Sequence, residues 1–414
     1  MTMILRGAGV LAMLLYFAVA AEGAGKKLNI LMIGVDDLRP DIAGPSFGQS
    51  QVRTPNLERL AKQGTAFQRA YCQVRNRPAF SCGCAAGSPA QALTYTHTCR
   101  RQVALCSPSR TVLLTGLRPD STKIWSIGPY FRDTMDTRGG RGGGQAVVTL
   151  PQMFRQAGYY TTGAGKIFHP GTSSGGPSRS EGGGDGGWPF RTNGSWSKPY
   201  FFCDQFYNGT VQSPAMQQWP GARAARAGCI QSDECTTCLR EAGSLEGKHS
   251  HKGAPCNASC YPDGLVADET IGQLHERAGN QAQQPFFMAA GFKRPHLGWM
   301  APQSFFDMYP PANVAVAKHV LPPPGMPKVA FSGNGEMCGM DDLNCFTNED
   351  GFKLVPDKRH SELRAAYYAV VTFMDSQLGR VLDALEETRL RDSTAVVFWG
   401  DHGYLLRVTL VLHP

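Results

Sequence analysis

The chain has 414 residues, 42% of them hydrophobic and 18% charged, which places it among globular proteins able to bury a large core in one or two domains and excludes a disordered chain. The formal charge of +8 suits a polyanionic partner but selects none by itself. The 13 cysteines, together with Asn-x-Ser/Thr sequons at Asn193, Asn208 and Asn257, point to the secretory pathway.

In chain order, residues 1–20 read as a signal peptide, with Arg6, an apolar run from Val10 to Ala20 and small residues at Ala18, Ala20 and Ala21. That run is too short to span a bilayer comfortably, so no stable membrane anchor is expected after cleavage. Residues 21–406 are expected to form a single catalytic domain. Leu28 to Val35 is a continuous apolar run, the mark of a buried strand, and it ends at Asp36-Asp37. Pro55 to Gly64 has helical spacing.

Residues 74–102 look inserted, because joining Ala70–Gln73 to Val103–Cys106 restores one strand leading towards Cys106. A retained in-frame intron is the expectation here and a genuine surface insertion the alternative. The Gly-rich stretches 139–144 and 175–187 bury too little apolar surface to fold alone and are expected to be surface loops. Tyr159 to Thr162 is strand-like and leads to Gly165-Lys166-Ile167-Phe168-His169-Pro170, with an ammonium and an imidazole three residues apart. Lys293-Arg294-Pro295-His296 forms a second cluster of this kind. Lone histidines near prolines are normally loop residues, but two such pairs supply what cleavage of an anionic ester needs, charge stabilisation on oxygen and a proton for the leaving group.

Cys203, Cys229, Cys235, Cys238, Cys256 and Cys260 crowd one region. A secretory setting favours disulfides there, and Cys235 and Cys238 with His249 and His251 leave zinc as the alternative. Cys338 and Cys345 could close a small loop. Ser361 to Glu387 reads as a long core helix with Leu363, Tyr367, Val370, Val371 and Met374 on one face. Thr394 to Trp399 is a second apolar run ending at Asp401-His402. Adjacent acids usually mark a turn, yet acids at the ends of two buried strands offer hard oxygen ligands to one divalent cation. Alternating strands and helices predict an α/β sheet covered on both faces, with ligands bound at the strands' C-terminal edge.

The most specific feature is Cys106-Ser107-Pro108-Ser109-Arg110 followed by Thr115-Gly116. By residue type alone, a buried cysteine at a helix start is the commoner fate. The pattern resembles the signature of the type I sulfatases, and further similar stretches span nearly all of the chain: Val35–Pro40, Pro119–Thr122, Gly165–Gly171, Phe286–His296, Tyr367–Leu385 and Gly400–Gly403. The Val35–Pro40 form and His402 favour the iduronate-2-sulfatase branch.

The resemblance implies an alkaline-phosphatase-like fold with a large, mostly parallel central sheet. It implies that a formylglycine-generating enzyme oxidises Cys106 during secretion. It implies one calcium ion held by Asp36, Asp37, modified Cys106, Asp401 and His402, with sulfate contacts from Arg110, Lys166, His169 and His296. One hydroxyl of the hydrated aldehyde would attack sulfur, with His296 protonating the departing alcohol, His169 deprotonating the second hydroxyl and Arg110 anchoring the formylglycine. The implied substrate is the 2-O-sulfate of iduronate in dermatan and heparan sulfate, in a lysosomal or extracellular setting and with no nucleic-acid partner. The family pattern would continue past Leu406 into Gly-Glu-His-Gly and a lysine, so residues 407–414 are expected to be an aberrant tail and the C-terminal subdomain to be missing.

Overall fold

The computed structural model describes residues 27–40, 51–70, 72, 105–136, 147–174, 194–198, 200–202, 233–241, 250–279, 284–315, 331–332, 336–347, 353–404 and 411–412. Among the described residues, four strands make the central sheet: β1 (Asn29–Val35), β2 (Tyr160–Gly165), β3 (Phe286–Phe292) and β4 (Thr394–Gly400). Their spatial order is β2-β3-β1-β4, and each neighbouring pair is parallel.

Successive strand side chains face opposite ways, so each buried strand feeds two cores. Leu31, Ile33 and Val35 of β1 and Phe286, Met288, Ala290 and Phe292 of β3 enter one apolar cluster. Ile30, Met32, Phe287 and Ala289 enter the other. The first cluster is closed by α1 (Pro55–Lys62), α4 (Pro262–Gly279) and α5 (His360–Glu387), the second by α2 (Cys106–Thr115) and α3 (Leu150–Gln156). Helices therefore cover both faces, as the alternation of elements predicts.

Local chemistry sets the helix ends. α3 begins with a capping box, in which the Thr149 hydroxyl accepts from the Gln152 amide and the Gln152 side chain accepts from the Thr149 amide. The Asp375 carboxylate caps α1 from α5, accepting from the amides of Asn56 at 3.1 Å and Leu57 at 2.8 Å. α2 stops at Gly116, whose φ of 68° lies in the left-handed region open to glycine.

The runs expected at 28–35, 55–64, 361–387 and 394–399 are observed to within one or two residues at each end, whereas the strand expected at Tyr159–Thr162 runs on to Gly165 and Cys106, expected at the end of a strand, instead begins a helix. Residues 1–20, 74–102, 139–144 and 175–187 lie outside the described residues, as do Asn193, Asn208, Cys203, Cys229 and His249. Of the tail, Val411–Leu412 pairs antiparallel with Phe331–Ser332. Disulfides join Cys235 to Cys260, Cys238 to Cys256 and Cys338 to Cys345. The zinc alternative is thereby overturned, since these four thiols are consumed in pairs and His251 turns to Glu362 at 3.1 Å. Asn257 is exposed beside a short 3-10 turn. No helix among the described residues is long and apolar enough to cross a membrane.

Candidate active site

All four strands end in the same place. β1 delivers Asp36 and Asp37, β2 delivers Lys166, β3 leads through Lys293 and Arg294 to His296, and β4 delivers Asp401 and His402. Cys106 reaches this edge as the first residue of α2. The ladder continues one residue past the strands, with the Asp36 amide donating to Phe292 at 3.2 Å, Lys166 to Gly291 at 2.8 Å and Asp401 to Val35 at 3.3 Å. The acids are thus fixed by backbone bonds before their side chains make any contact.

Arg110 organises the cluster from the next turn of α2. Its Nε donates to Asp401 Oδ2 at 2.9 Å, its Nη2 to Asp36 Oδ1 at 3.0 Å and its Nη1 to the carbonyl of Ile167 at 3.0 Å, and to that of Lys166. A guanidinium suits this task because its donors lie in a fixed fork. Its planar group also lies 5.4 Å from the Trp399 ring of β4. Lys166 Nζ pairs with Asp36 Oδ2 and stands 3.8 Å from Cys106 Sγ.

Asp37, His402 and Asp401 form the opposite wall. His402 Nδ1 lies 3.1 Å from Asp37 Oδ1, and its Nε2 is 3.5 Å from Asp401 Oδ2 and 3.1 Å from Cys106 Sγ. Asp37 has φ of 59°, a conformation that short polar side chains tolerate better than most. Its carbonyl accepts from the Tyr367 hydroxyl of α5, and its amide donates to Asp401 Oδ1 at 3.0 Å.

His296 lies on a loop held by Asp263 of α4, whose carboxylate accepts from the amides of Lys293 at 2.7 Å and Arg294 at 2.9 Å. Its Nδ1 lies 2.7 Å from the Leu297 carbonyl and its Nε2 3.9 Å from Asp36 Oδ2 and 3.2 Å from Glu336 Oε1. His169 Nδ1 lies 2.8 Å from the Pro170 carbonyl.

Charge follows from this packing. Burial alone would raise the Asp36 carboxyl, but the Lys166 ammonium and the Arg110 guanidinium hold it well below the usual range. At Asp37 burial outweighs the neighbouring His402 ring and pushes the carboxyl well above that range. His402 is pushed up to about 9, because Asp401 and Asp37 outweigh its burial. Burial, followed by the nearby Lys166, lowers His169 to about 3 and holds His296 well below its ordinary value. Burial and then the Asp36 carboxylate push the Cys106 thiol well above its usual value, so the unmodified side chain is a thiol and a poor nucleophile.

Asp36, Cys106, Asp401 and His402 offer ligand atoms that all lie within 4.8 Å of one another. Asp37 Oδ2 is buried with no hydrogen-bond partner among the described residues, an open valence that a cation would fill. Oxygen donors fit a hard cation, and the one donor that fits it poorly is the thiol of Cys106, the atom that oxidation to formylglycine would replace by oxygen.

The structure therefore brings together Asp36, Asp37, Cys106, Arg110, Lys166, His296, Asp401 and His402, with His169 close enough to feel the charges of Lys166 and Asp36. Sequence reading missed Glu336, Asp263 and the hydroxyl of Tyr367. Glu336 sits in a stretch without an apolar period, Asp263 stands in the first turn of a helix whose period marks only its core face, and Tyr367 is read only as core. Cys72 also lies near His402 and Ser109, and its thiol is raised first by burial.

Residues 89–413 match the sulfatase family. Iduronate 2-sulfatase of Mus musculus is 28% identical over 400 residues, covering 94% of this chain and 58% of the relative. That of Homo sapiens is 29% identical over 390 residues, covering 93% of this chain and 56% of the relative. The chain thus spans somewhat over half the length of these curated relatives. Among solved structures, one in complex with its substrate D-glucosamine-2-N,6-O-disulfate aligns with a TM-score of 0.52 at 18% identity, covering 92% of this chain and 66% of the other. A phosphonate monoester hydrolase of Agrobacterium radiobacter aligns at 0.51 and 18%, covering 92% and 63%. These two likenesses give the fold alone, whereas the family match takes in Cys106, Lys166, His296, Asp401 and His402, and by it the chain belongs to the sulfatase family.

Proposed function

We propose that this protein hydrolyses sulfate esters at the cluster around residue 106, with the 2-O-sulfate of iduronate in dermatan and heparan sulfate as its substrate. The observation that carries the reading is the convergence of Lys166, His402, Arg110 and the paired acids on Cys106 at one sheet edge. Likeness to the mouse and human iduronate 2-sulfatases supports the choice of sugar, and a lysosomal or extracellular setting accords with the signal-like start, the disulfides and the sequons.

A calcium ion would be held by Asp36, Asp37, Asp401, His402 and the oxygen of modified residue 106, and would supply positive charge against the sulfate oxygens. Formylglycine, made by a generating enzyme during secretion, would supply as its hydrate a hydroxyl to bond sulfur and a second hydroxyl whose loss of a proton releases sulfate. The chain's own residues do the rest. Arg110 fixes the acids and the position of residue 106. Lys166 Nζ, already directed at that residue, neutralises an incoming sulfate. His296 gives a proton from Nε2 to the departing alcohol, and the negative charge of a bound sulfate favours the imidazolium that does so. His169, kept neutral, takes the proton of the second hydroxyl at Nε2.

Mass spectrometry of the tryptic peptide carrying residue 106, combined with sulfate release from a disaccharide bearing 2-sulfated iduronate, tests this. Formylglycine at residue 106 and loss of sulfate release in Cys106→Ala are the expected results. A chain that is quantitatively unoxidised and releases no sulfate would refute the reading.

A further inference from the structure

His402 is aimed at sulfur by its own hydrogen bonds. Its Nδ1 lies 3.1 Å from the Gly403 carbonyl and 3.1 Å from Asp37 Oδ1. The carbonyl can only accept, so Nδ1 carries the proton and the lone pair of Nε2 is left to face the cluster. There Nε2 stands 3.1 Å from Cys106 Sγ and 3.5 Å from Asp401 Oδ2. A carboxylate behind one ring nitrogen, with a thiol and a second carboxylate before the other, is the arrangement by which proteins orient a histidine towards a transition metal.

The spacing agrees with the donor chemistry. Zinc takes nitrogen, oxygen and sulfur at bond lengths of about 2.0–2.3 Å in a tetrahedron, which sets neighbouring ligand atoms about 3.2–3.8 Å apart. The two separations at Nε2 lie within or beside that range. Asp36 offers an oxygen within the same 4.8 Å cluster as a fourth ligand, and the buried Asp37 Oδ2, without a hydrogen-bond partner among the described residues, independently calls for a cation. With sulfur and imidazole both present, the set selects against calcium, which asks for roughly six to eight oxygens and gains little from a thiolate.

We propose that the chain with Cys106 unoxidised binds zinc through Cys106 Sγ, His402 Nε2, Asp401 Oδ2 and Asp36, with Asp37 orienting His402, and that oxidation of Cys106 turns the same cluster over to a hard cation. The zinc site depends only on the side chains as translated, whereas the switch rests on the formylglycine of the proposed function. Binding releases the thiol proton, and any proton on Nε2, to water. Formylglycine removes the one soft ligand and leaves oxygens with a single imidazole.

The test uses the 414-residue chain from a host without the generating enzyme, shown by mass to keep Cys106, with cobalt as the spectroscopic probe for zinc. Cobalt should give a near-ultraviolet sulfur-to-metal charge-transfer band and the intense visible bands of a tetrahedral site. Stoichiometric zinc should abolish both, and a large excess of calcium should abolish neither. Cys106→Ser should lose the charge-transfer band and bind zinc at least about a hundredfold more weakly. Cys72→Ser, which removes the other free thiol among the described residues, should keep band and affinity. Absence of the band from the parent, its persistence in Cys106→Ser, or displacement of cobalt by calcium would overturn the zinc site. The same chain carrying formylglycine should show no charge-transfer band and a melting temperature raised more by calcium than by zinc, and the reverse order would overturn the switch. Failure of the formylglycine-bearing chain to release sulfate would refute the hydrolase reading and leave the zinc site standing.

Discussion

Asp37 shows how one residue can be held at a cost that only a ligand offsets. It is buried, its carboxyl is raised by that burial, its backbone is left-handed and Oδ2 lacks a partner. Asn fits the same space without the charge. Asp37→Asn is therefore expected to leave the metal-free melting temperature within a few degrees of the parent, and to lower sulfate release by at least about a hundredfold. Parent-like turnover in the presence of excess EGTA would contradict it. His169 makes a separate claim about protons. Its ring is lowered to about 3 by burial and the nearby Lys166, so it stays neutral until the pH falls through that value. In the unfolded chain it takes up its proton near 6.5. The sign is thus destabilising, as the unfolded state binds the additional proton when pH drops below 6.5. An NMR titration of the His169 Cε1 proton should be flat from pH 8 to about 4, and a midpoint near 6.5 would show an imidazole open to water.

Strands and helices place these residues through contacts that leave no room for a methyl group. At the crossing of β2 and β3, a Cβ on Gly291 would lie 2.3 Å from the backbone carbon and oxygen of Lys166. Gly291→Ala should then cost about 1–3 kcal/mol in urea unfolding and, by moving Lys166 off Asp36, lower turnover more than Val266→Ala, a cavity-forming change in the same layer. Equal activity in the two variants would separate Lys166 from the chemistry. The same elements show what could be read in advance. Continuous apolar runs ending in acids marked β1 and β4 because strands buried on both faces need no polar alternation. Lys166 and His296 could be found because they follow such runs closely. Glu336 could not, since its place depends on a disulfide-closed turn meeting a loop 40 residues upstream. Tyr367 was legible as a core side chain, and its ring does pack against Trp299, but the bond of its hydroxyl to the Asp37 carbonyl depends on a tertiary approach that helical periodicity does not encode. The pairing of Cys235 and Cys238 with Cys260 and Cys256 was closed to spacing arguments for the same reason.

For the whole molecule, the segment between Cys72 and Leu105 begins and ends at the site. Cys72 lies close enough to His402 to feel its charge, and Leu105 immediately precedes Cys106. Deleting residues 74–102 would shorten the connection between Cys72 and Leu105, and loop-closure cost changes only slowly with length. Higher secreted yield is the expected outcome, and lower yield would show that the segment contributes to folding. A different consequence follows from β4, which among the described residues pairs with β1 alone and is only half-buried along most of its length. Its amides should exchange with solvent deuterium before those of β1 and β3, as an outer strand opens at a fraction of the global unfolding free energy. Each such opening removes Asp401 and His402 together. A cation that needs both would bind only the closed form, so its apparent affinity would be scaled by the closed fraction. Calcium at saturating concentration should then slow exchange in β4 more than anywhere else in the sheet, and identical β4 exchange with calcium and with EGTA would uncouple the strand from the site.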